Sequence, residues 1–321
     1  MKDFSGKLAV ITGGGTGMGR ALARQLVAEG CDVAMCDILE DNLVETRRLC
    51  ETEASQGRVI STFICDVSDE EAVNDFRDAV KREHDTDHID LLFNNAGVGA
   101  GASFVDGDRD TWERTFNICW FGVYFCARAF MPMLLASKDA HMVNTSSVNG
   151  FWATLGPTSA HSSYSAAKFA VKGFTEALIN DFGTNAPHVK VSVVMPGHIG
   201  TSIALNSNRI ITGREERQMT AAELEVARKR WSSLGMLEDD ATDEQVLAMM
   251  EQMGRNFRDN ARTTAEMAAS IILDGVREER WRILVGDDAH VLDEMVRSDP
   301  ESAYSEEFIE KLRATDEWTV G

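Results

Sequence analysis

The chain has 321 residues, of which 44% are hydrophobic, enough to pack one large α/β domain or two smaller ones and too many for a disordered chain. Acidic residues outnumber basic ones 52 to 32, and the resulting net charge of −20 repels nucleic acid and anionic membrane surfaces. Neither class of partner is expected.

In chain order, short apolar runs alternate with amphipathic stretches. Lys7–Thr12 reads as a first strand and Gly17–Gly30 as a helix with apolar residues at Leu22, Leu26 and Val27. Cys31–Asp37 is a second strand, Asn42–Ala54 a helix and Arg58–Val67 a third strand. Ser68 or Asp69 caps the next helix, which runs to about His84. Ile89–Asn95 is strand four, Thr111–Leu135 a long helix, His141–Ser147 strand five and Ser162–Phe182 a helix. Val189–Met195 is strand six, stopped by Pro196 and Gly197. The alternation and the largely apolar strands predict a parallel sheet covered on both faces. After Gly200 the pattern breaks into about sixty charged, helical residues. A helix at Thr264–Glu279 and a strand at Trp281–Val285 follow, then an acidic rim of one or two helices from Asp287 to Gly321. No run reads as long enough to span a bilayer, and the N-terminus lacks a signal-peptide layout, so a cytoplasmic protein is expected. The six cysteines form no CxxC pair; they are expected to be reduced and buried, with no metal site.

Two motifs carry chemistry. Thr12-Gly-Gly-Gly-Thr16-Gly17-Met18-Gly19 links the first strand to the first helix. Glycines at 13, 17 and 19 allow a tight turn and close approach of a pyrophosphate to the free N–H groups of the helix, including those around Thr16 and Met18. A plain tight connection is the competing reading. Asp37, ending the second strand, can accept hydrogen bonds from ribose hydroxyls and would repel a 2′-phosphate. With Ile38 after it and Thr16 before Gly17, no arginine stands ready for that phosphate, so NAD is expected over NADP. Asp66 and Val67 close the third strand, where they meet an adenine edge or cap a helix. Tyr164 and Lys168 lie four residues apart, on one helix face. An ammonium beside a phenol favours the phenolate and suits the tyrosine to proton exchange near neutral pH.

These residues, in this order, resemble the short-chain dehydrogenase/reductase family. The likeness covers about residues 5–200 and again 264–286. Its motifs are Thr12-Gly13-x3-Gly17-x-Gly19, Asp37, Asp66-Val67, Asn94-Asn95-Ala96-Gly97, Asn117, Ser147, Tyr164-x3-Lys168 and Pro196-Gly197-x3-Thr201. The resemblance implies a doubly wound Rossmann fold whose seven parallel strands run 3-2-1-4-5-6-7, and an NAD(H)-dependent oxidoreductase interconverting a secondary alcohol and a ketone. It implies a catalytic group of Asn117, Ser147, Tyr164 and Lys168. Tyr164 would be the acid/base and Ser147 would orient the substrate oxygen. Lys168 would bind the nicotinamide ribose and depress the tyrosine pKa, and Asn117 would hold a water in a relay to Lys168. Asn94, Ala96 and Gly97 would border the adenosine ribose; Pro196, Gly197, Ile199 and Thr201 would frame the nicotinamide. Family members pair through the two long helices, which implies a homodimer or homotetramer.

Two departures stand out. Tyr164 lies seventeen positions after Ser147, a longer gap than is usual, with Ser162 or Ser163 as substitutes should the loop fold back. The segment 201–262 enlarges the family's substrate loop into an expected lid on a single domain spanning 1–321, with 287–321 as a rim extension. Phe151 and Trp152 are expected to line an apolar substrate wall, packing under the loop being the alternative; His198 joins Ser147 and Tyr164 as a substrate-side residue. The expected substrate is an alcohol on a medium or bulky apolar scaffold. A nucleotide-sensing protein and a dehydratase or epimerase on the same fold are the rival readings.

Overall fold

A computed structural model describes residues 1–99, 103–105, 107–156, 161–214 and 219–318. Part of the long loop before Tyr164, part of the expected lid and the last three residues of the rim lie outside the described residues.

Each expected strand forms. β1 (Leu8–Thr12), β2 (Asp32–Asp37), β3 (Ile60–Ile64), β4 (Leu91–Asn94), β5 (Ala140–Thr145) and β6 (Val189–Pro196) make one parallel sheet with a late strand, Arg282–Val285. Between β6 and that strand stand two very short ones, β7 (Ile199–Gly200) and β8 (Thr263–Thr264), so the late strand is β9. The spatial order is β3-β2-β1-β4-β5-β6-β9, the doubly wound arrangement expected.

Both faces of the sheet are covered, and that explains the continuous apolar strands. Ala9 and Ile11 of β1 turn to a core shared with Leu22 and Leu26 of α1 (Gly17–Ala28) and Ile272 of α10 (Ala265–Arg277). Leu8 and Val10 turn to the opposite core, with Phe76 of α3 (Glu70–Glu83) and Phe130 of α5 (Gly122–Ala136). Each such fully buried side chain contributes about 1.5–3 kcal/mol relative to exposure, so slipping β1 by one residue would forfeit both cores. Asp69 is the α3 cap: its carboxylate accepts from the Glu71 and Ala72 amides.

The long central helix is α4 (Arg109–Phe116), one π-helical turn at Asn117–Phe121, and α5. Taken as one helix of 28 residues it has the length and apolarity to cross a bilayer, which corrects the reading that no run does. Half of its most apolar window is buried within the protein, as in a core helix. α6 (Ser162–Asn185) runs beside it.

The enlarged segment is bracketed by β7 and β8, which pair through Ile199 with Thr263. The chain therefore leaves and re-enters the main fold at adjacent points, and a long insertion costs the sheet little. Within it lie α7 (Ile203–Thr212), α8 (Ala221–Ser233) and α9 (Asp243–Asp259). Thr220 with Glu223, and Thr242 with Gln245, form capping boxes that start α8 and α9. Leu224, Trp231 and Val246 give this segment its own small core, joined by Met249 and Met250. The C-terminal rim holds α11 (Asp287–Ser298) and α12 (Glu306–Arg313).

Candidate active site

The strand order reverses between β1 and β4, and ligands of open α/β sheets sit beyond the strand ends at such a switch point. A cleft opens there. Gly13, Thr16, Gly17, Met18, Asp37, Asp66, Val67, Ala96, Gly97 and Thr201 all line it. Gly17 has φ +52°, and a side chain on it would press on Thr201. Gly19 lies beneath the turn, where a Cβ would sit 2.0 Å from the Gly13 carbonyl oxygen. Thr16 provides no side-chain cap for α1, so the first-turn N–H groups are left to the cleft. The Asp37 carboxylate accepts from the Gly15 amide at 2.9 Å and the Leu39 amide at 3.1 Å. Burial raises its pKa, opposed by those two amides. Arg20 donates to the Gly15 and Asn42 carbonyl oxygens and to Thr46, and so ties the turn to α2 (Glu40–Glu53).

Asn94, Pro196, Gly197 and Ile199 are not among the residues that line the cleft. Asn94 is buried, and its amide donates to Asn144 Oδ1 at 2.8 Å, inside the sheet. Its neighbour Asn95 lines the cleft instead and donates to the Thr12 carbonyl oxygen at 3.1 Å. Pro196 and Ile199 are buried, and Gly197 packs so tightly on Asp288 that a Cβ would sit 2.2 Å from its carboxylate. Asp66 is tied to a partner invisible in the sequence: Arg114 donates to its Oδ2 at 2.5 Å and also to Ser68.

The catalytic candidates meet where β5 ends. Lys168 is 3% exposed, its Nζ donating to the Thr145 carbonyl oxygen at 2.9 Å and lying 5.4 Å from the centroid of the Tyr164 ring. Ser147 begins a short 3-10 turn, Val148–Gly150, its hydroxyl accepting from the Asn149 amide at 3.1 Å. Ser146 points the other way, donating to the Lys168 carbonyl oxygen at 2.7 Å, which leaves Ser147 as the serine of the site. Ser162 is taken by the Trp112 indole, and Ser163 is buried. His161 packs on Tyr164 with ring centroids 4.7 Å apart, and burial and then Arg230 push its pKa down to about 4.

One expectation about this group is corrected. Burial pushes the Tyr164 phenol above its usual range, outweighing the opposing pull of the nearby Ser147 hydroxyl. Burial also pulls the Lys168 ammonium below its own, so the lysine alone does not depress the tyrosine. Asn117 opens the π-helical turn and lines a polar hollow with Thr111, Glu113 and Arg214. Cys119, two residues on and so on the opposite helix face, stands at the inner site. Its thiol donates to the Val98 carbonyl oxygen at 3.4 Å. A Cβ on Gly97 would be 3.8 Å from that sulfur and 3.5 Å from Lys168 Nζ.

The substrate-side expectations are corrected as well. Trp152 is 1% exposed and donates from Nε1 to the Ala303 carbonyl oxygen at 2.6 Å, packed against Phe308 and Trp318. Phe151 packs on the same cluster beneath the Arg282 guanidinium. Both belong to the core of the C-terminal rim, neither a substrate wall nor packing under the enlarged loop. His198 is 5% exposed; its amide donates to Asp288 at 2.6 Å and its Nε2 lies 2.7 Å from the Phe257 carbonyl oxygen. It fastens α9 and α11 together. Side chains the sequence did not single out line the cleft from α7: Ile203, Asn206, Ser207 and Ile210.

The sequence profile described as short chain dehydrogenase matches residues 7–212. This chain belongs to the short-chain dehydrogenase family. A Mycobacterium tuberculosis protein bearing the oxidoreductase name SadH is 35% identical over 297 residues, 92% of each chain. Epidermal retinol dehydrogenase 2 of Mus musculus is 32% identical over 203 residues, 63% of each. The crystal structure of a short-chain dehydrogenase/reductase from Burkholderia phymatum in complex with NAD aligns with a TM-score of 0.72 at 29% identity, over 94% of this chain and 95% of that one. The chain is thus an oxidoreductase of a family that uses NAD or NADP. The open helix terminus, the glycine turn and the Asp37 carboxylate fit such a dinucleotide.

Proposed function

We propose that this short-chain dehydrogenase uses NAD(H) to interconvert a secondary alcohol and a ketone on a medium or bulky apolar scaffold. The observation that carries the reading is the Lys168 ammonium, 5.4 Å from the centroid of the Tyr164 ring and packed against Gly97, which lines the dinucleotide cleft.

When bound, the nicotinamide accepts or gives hydride at C4, and its oxidised ring brings a positive charge to the site. Tyr164 takes the proton from the substrate hydroxyl, or returns it to the ketone oxygen. Ser147, whose Oγ already accepts from Asn149, donates its own proton to that oxygen and fixes its direction. Lys168 has one of its three donors on Thr145 and offers the rest to ribose hydroxyls. Asp37 would hold the adenosine ribose and turn away a 2′-phosphate, which supports NAD over NADP. Val98, Ile203 and Ile210 support an apolar substrate, and Gly99 donating to Ser207 at 2.8 Å supports 201–262 as a lid within one domain.

Six free, buried cysteines agree with a reducing, cytoplasmic setting. The exposed Phe121, Leu135, Phe169 and Ile179 on α5, its preceding turn and α6 support pairing of copies through these helices. Initial rates of nicotinamide reduction with cyclohexanol and 2-octanol, each with NAD and NADP, test the reading. Faster reduction of NAD is expected. Turnover only with sugars or hydroxy acids would refute the scaffold, and product without nicotinamide reduction would refute the oxidoreduction.

A further inference from the structure

The rim extension and the serine of the active site are joined by an unbroken hydrogen-bonded path. Ala303, in the turn before α12, is 1% exposed and accepts from Trp152 Nε1 at 2.6 Å. The Trp152 carbonyl oxygen accepts from Asn149 Nδ2 at 3.0 Å, and the same amide group donates to the Thr154 carbonyl oxygen at 2.9 Å. The Asn149 backbone N–H closes the path on Ser147 Oγ at 3.1 Å. Next to it, Tyr304 accepts from the Ala153 amide at 3.1 Å. Asn149 is 2% exposed and Trp152 1%, so water does not compete for these bonds.

We propose that the C-terminal segment is a strap that aims Ser147, with Asn149 and Trp152 as positioning residues for the reaction. The proposal rests on the reading of Ser147 as the group that directs the substrate oxygen. A serine hydroxyl rotates freely unless its acceptor side is occupied. The Asn149 N–H occupies it, and holds that place only while the loop from Val148 to Thr154 keeps its shape. No regular element spans that loop beyond the single turn at Val148–Gly150. Its shape is held from within by the Asn149 side chain and by the Phe151 and Trp152 amides on the Val148 carbonyl oxygen, and from the rim by Ala303 and Tyr304. The contacts from Ala303 and Tyr304 come from the extension after β9.

Trp152→Phe keeps an aromatic ring against Phe308 and Trp318, deletes the donor to Ala303 and leaves a small void where the larger indole stood, so a Ser147→Ala background separates aiming of the serine from general loosening. Backbone hydrogen exchange is compared in full-length wild type and variant, without any substrate. Amides 149–153 should exchange about tenfold faster or more, while those of β1 stay unchanged. With cyclohexanol and NAD, kcat should fall about tenfold with KM and the NAD dissociation constant within twofold of wild type. Placed in a Ser147→Ala background, Trp152→Phe should cause no further loss, because it acts through the hydroxyl already removed. Unchanged exchange, unchanged kcat, or a full additional loss without the serine would each overturn the strap. Should Trp152→Phe not fold, Tyr304→Phe deletes one exposed hydroxyl and is judged by the same readouts. A wild-type enzyme inert toward every alcohol would refute the proposed function, while the exchange comparison would still decide the strap.

Discussion

Cys119 and Lys168 meet over Gly97: one added carbon there would touch both the sulfur, at 3.8 Å, and the ammonium nitrogen, at 3.5 Å. The inner wall of the proton-transfer site is therefore a weakly hydrogen-bonding thiol, and the nearest asparagine in sequence, Asn117, faces another hollow. Asn117→Ala should change kcat by less than about threefold, where removal of a true proton-relay group costs about 10²-fold or more. Cys119→Asn should lower the apparent pKa of alcohol oxidation, since an amide beside Lys168 hydrates a pair that burial now perturbs. Full pH–rate profiles of both variants check the pair of expectations.

Asp37 should decide the dinucleotide. Its carboxylate is held by two backbone amides and stands at the cleft with no arginine next to it in sequence. Asp37→Asn removes the charge that repels a 2′-phosphate. The ratio of kcat/KM for NAD over that for NADP should fall by about tenfold or more, on the scale of a charged hydrogen bond. An unchanged ratio would move the discrimination elsewhere.

Much of this was readable in the residues. Strands β1 to β6 and the dinucleotide turn announce themselves because both sheet faces are covered and because a turn against phosphate tolerates only glycine. Tyr164 and Lys168 announce themselves because helical spacing fixes their common face. The sequence did not reveal which of Asn117 and Cys119 faces the site, since that depends on helix phase through a π turn. Nor did it reveal Arg114 on Asp66, Asp288 under His198, or Ala303 on Trp152, contacts between residues 48, 90 and 151 positions apart. Phe151 and Trp152 look like a substrate wall beside a serine and turn out to be the seat of the C-terminal rim.

Acid should destabilise the fold through His141. It is 1% exposed, its Nε2 lies 2.7 Å from Ser192 Oγ, and burial lowers its pKa to about 3. The folded state thus binds fewer protons than the unfolded chain between about pH 3 and 6.5. The stability tied to the neutral ring is present above pH 6.5 and is lost as pH falls toward 3. At pH 5 one such histidine favours unfolding by ~2 kcal/mol. Urea denaturation of wild type and His141→Gln at pH 7.5 and pH 5 should show a smaller acid loss in the variant; equal losses would contradict this.

The exposed apolar side chains of the long helices should be an interface between copies. Phe169 on α6 is 41% exposed and Ile179 37%. Sedimentation at micromolar concentration should show a dimer or tetramer, and Phe169→Glu with Ile179→Lys should shift it toward monomer. A wild-type monomer at that concentration would contradict the expectation.

The account turns on Tyr164 as the acid/base. Tyr164→Phe should be compared with wild type by stopped-flow nicotinamide absorbance with NAD and cyclohexanol, alongside calorimetric titration of NAD. The account predicts a loss of about 10³-fold in kcat with the NAD dissociation constant unchanged, and a wild-type rate that climbs with pH into the alkaline range, because burial holds the phenol protonated. A variant that turns over alcohol at a rate near that of wild type would contradict it.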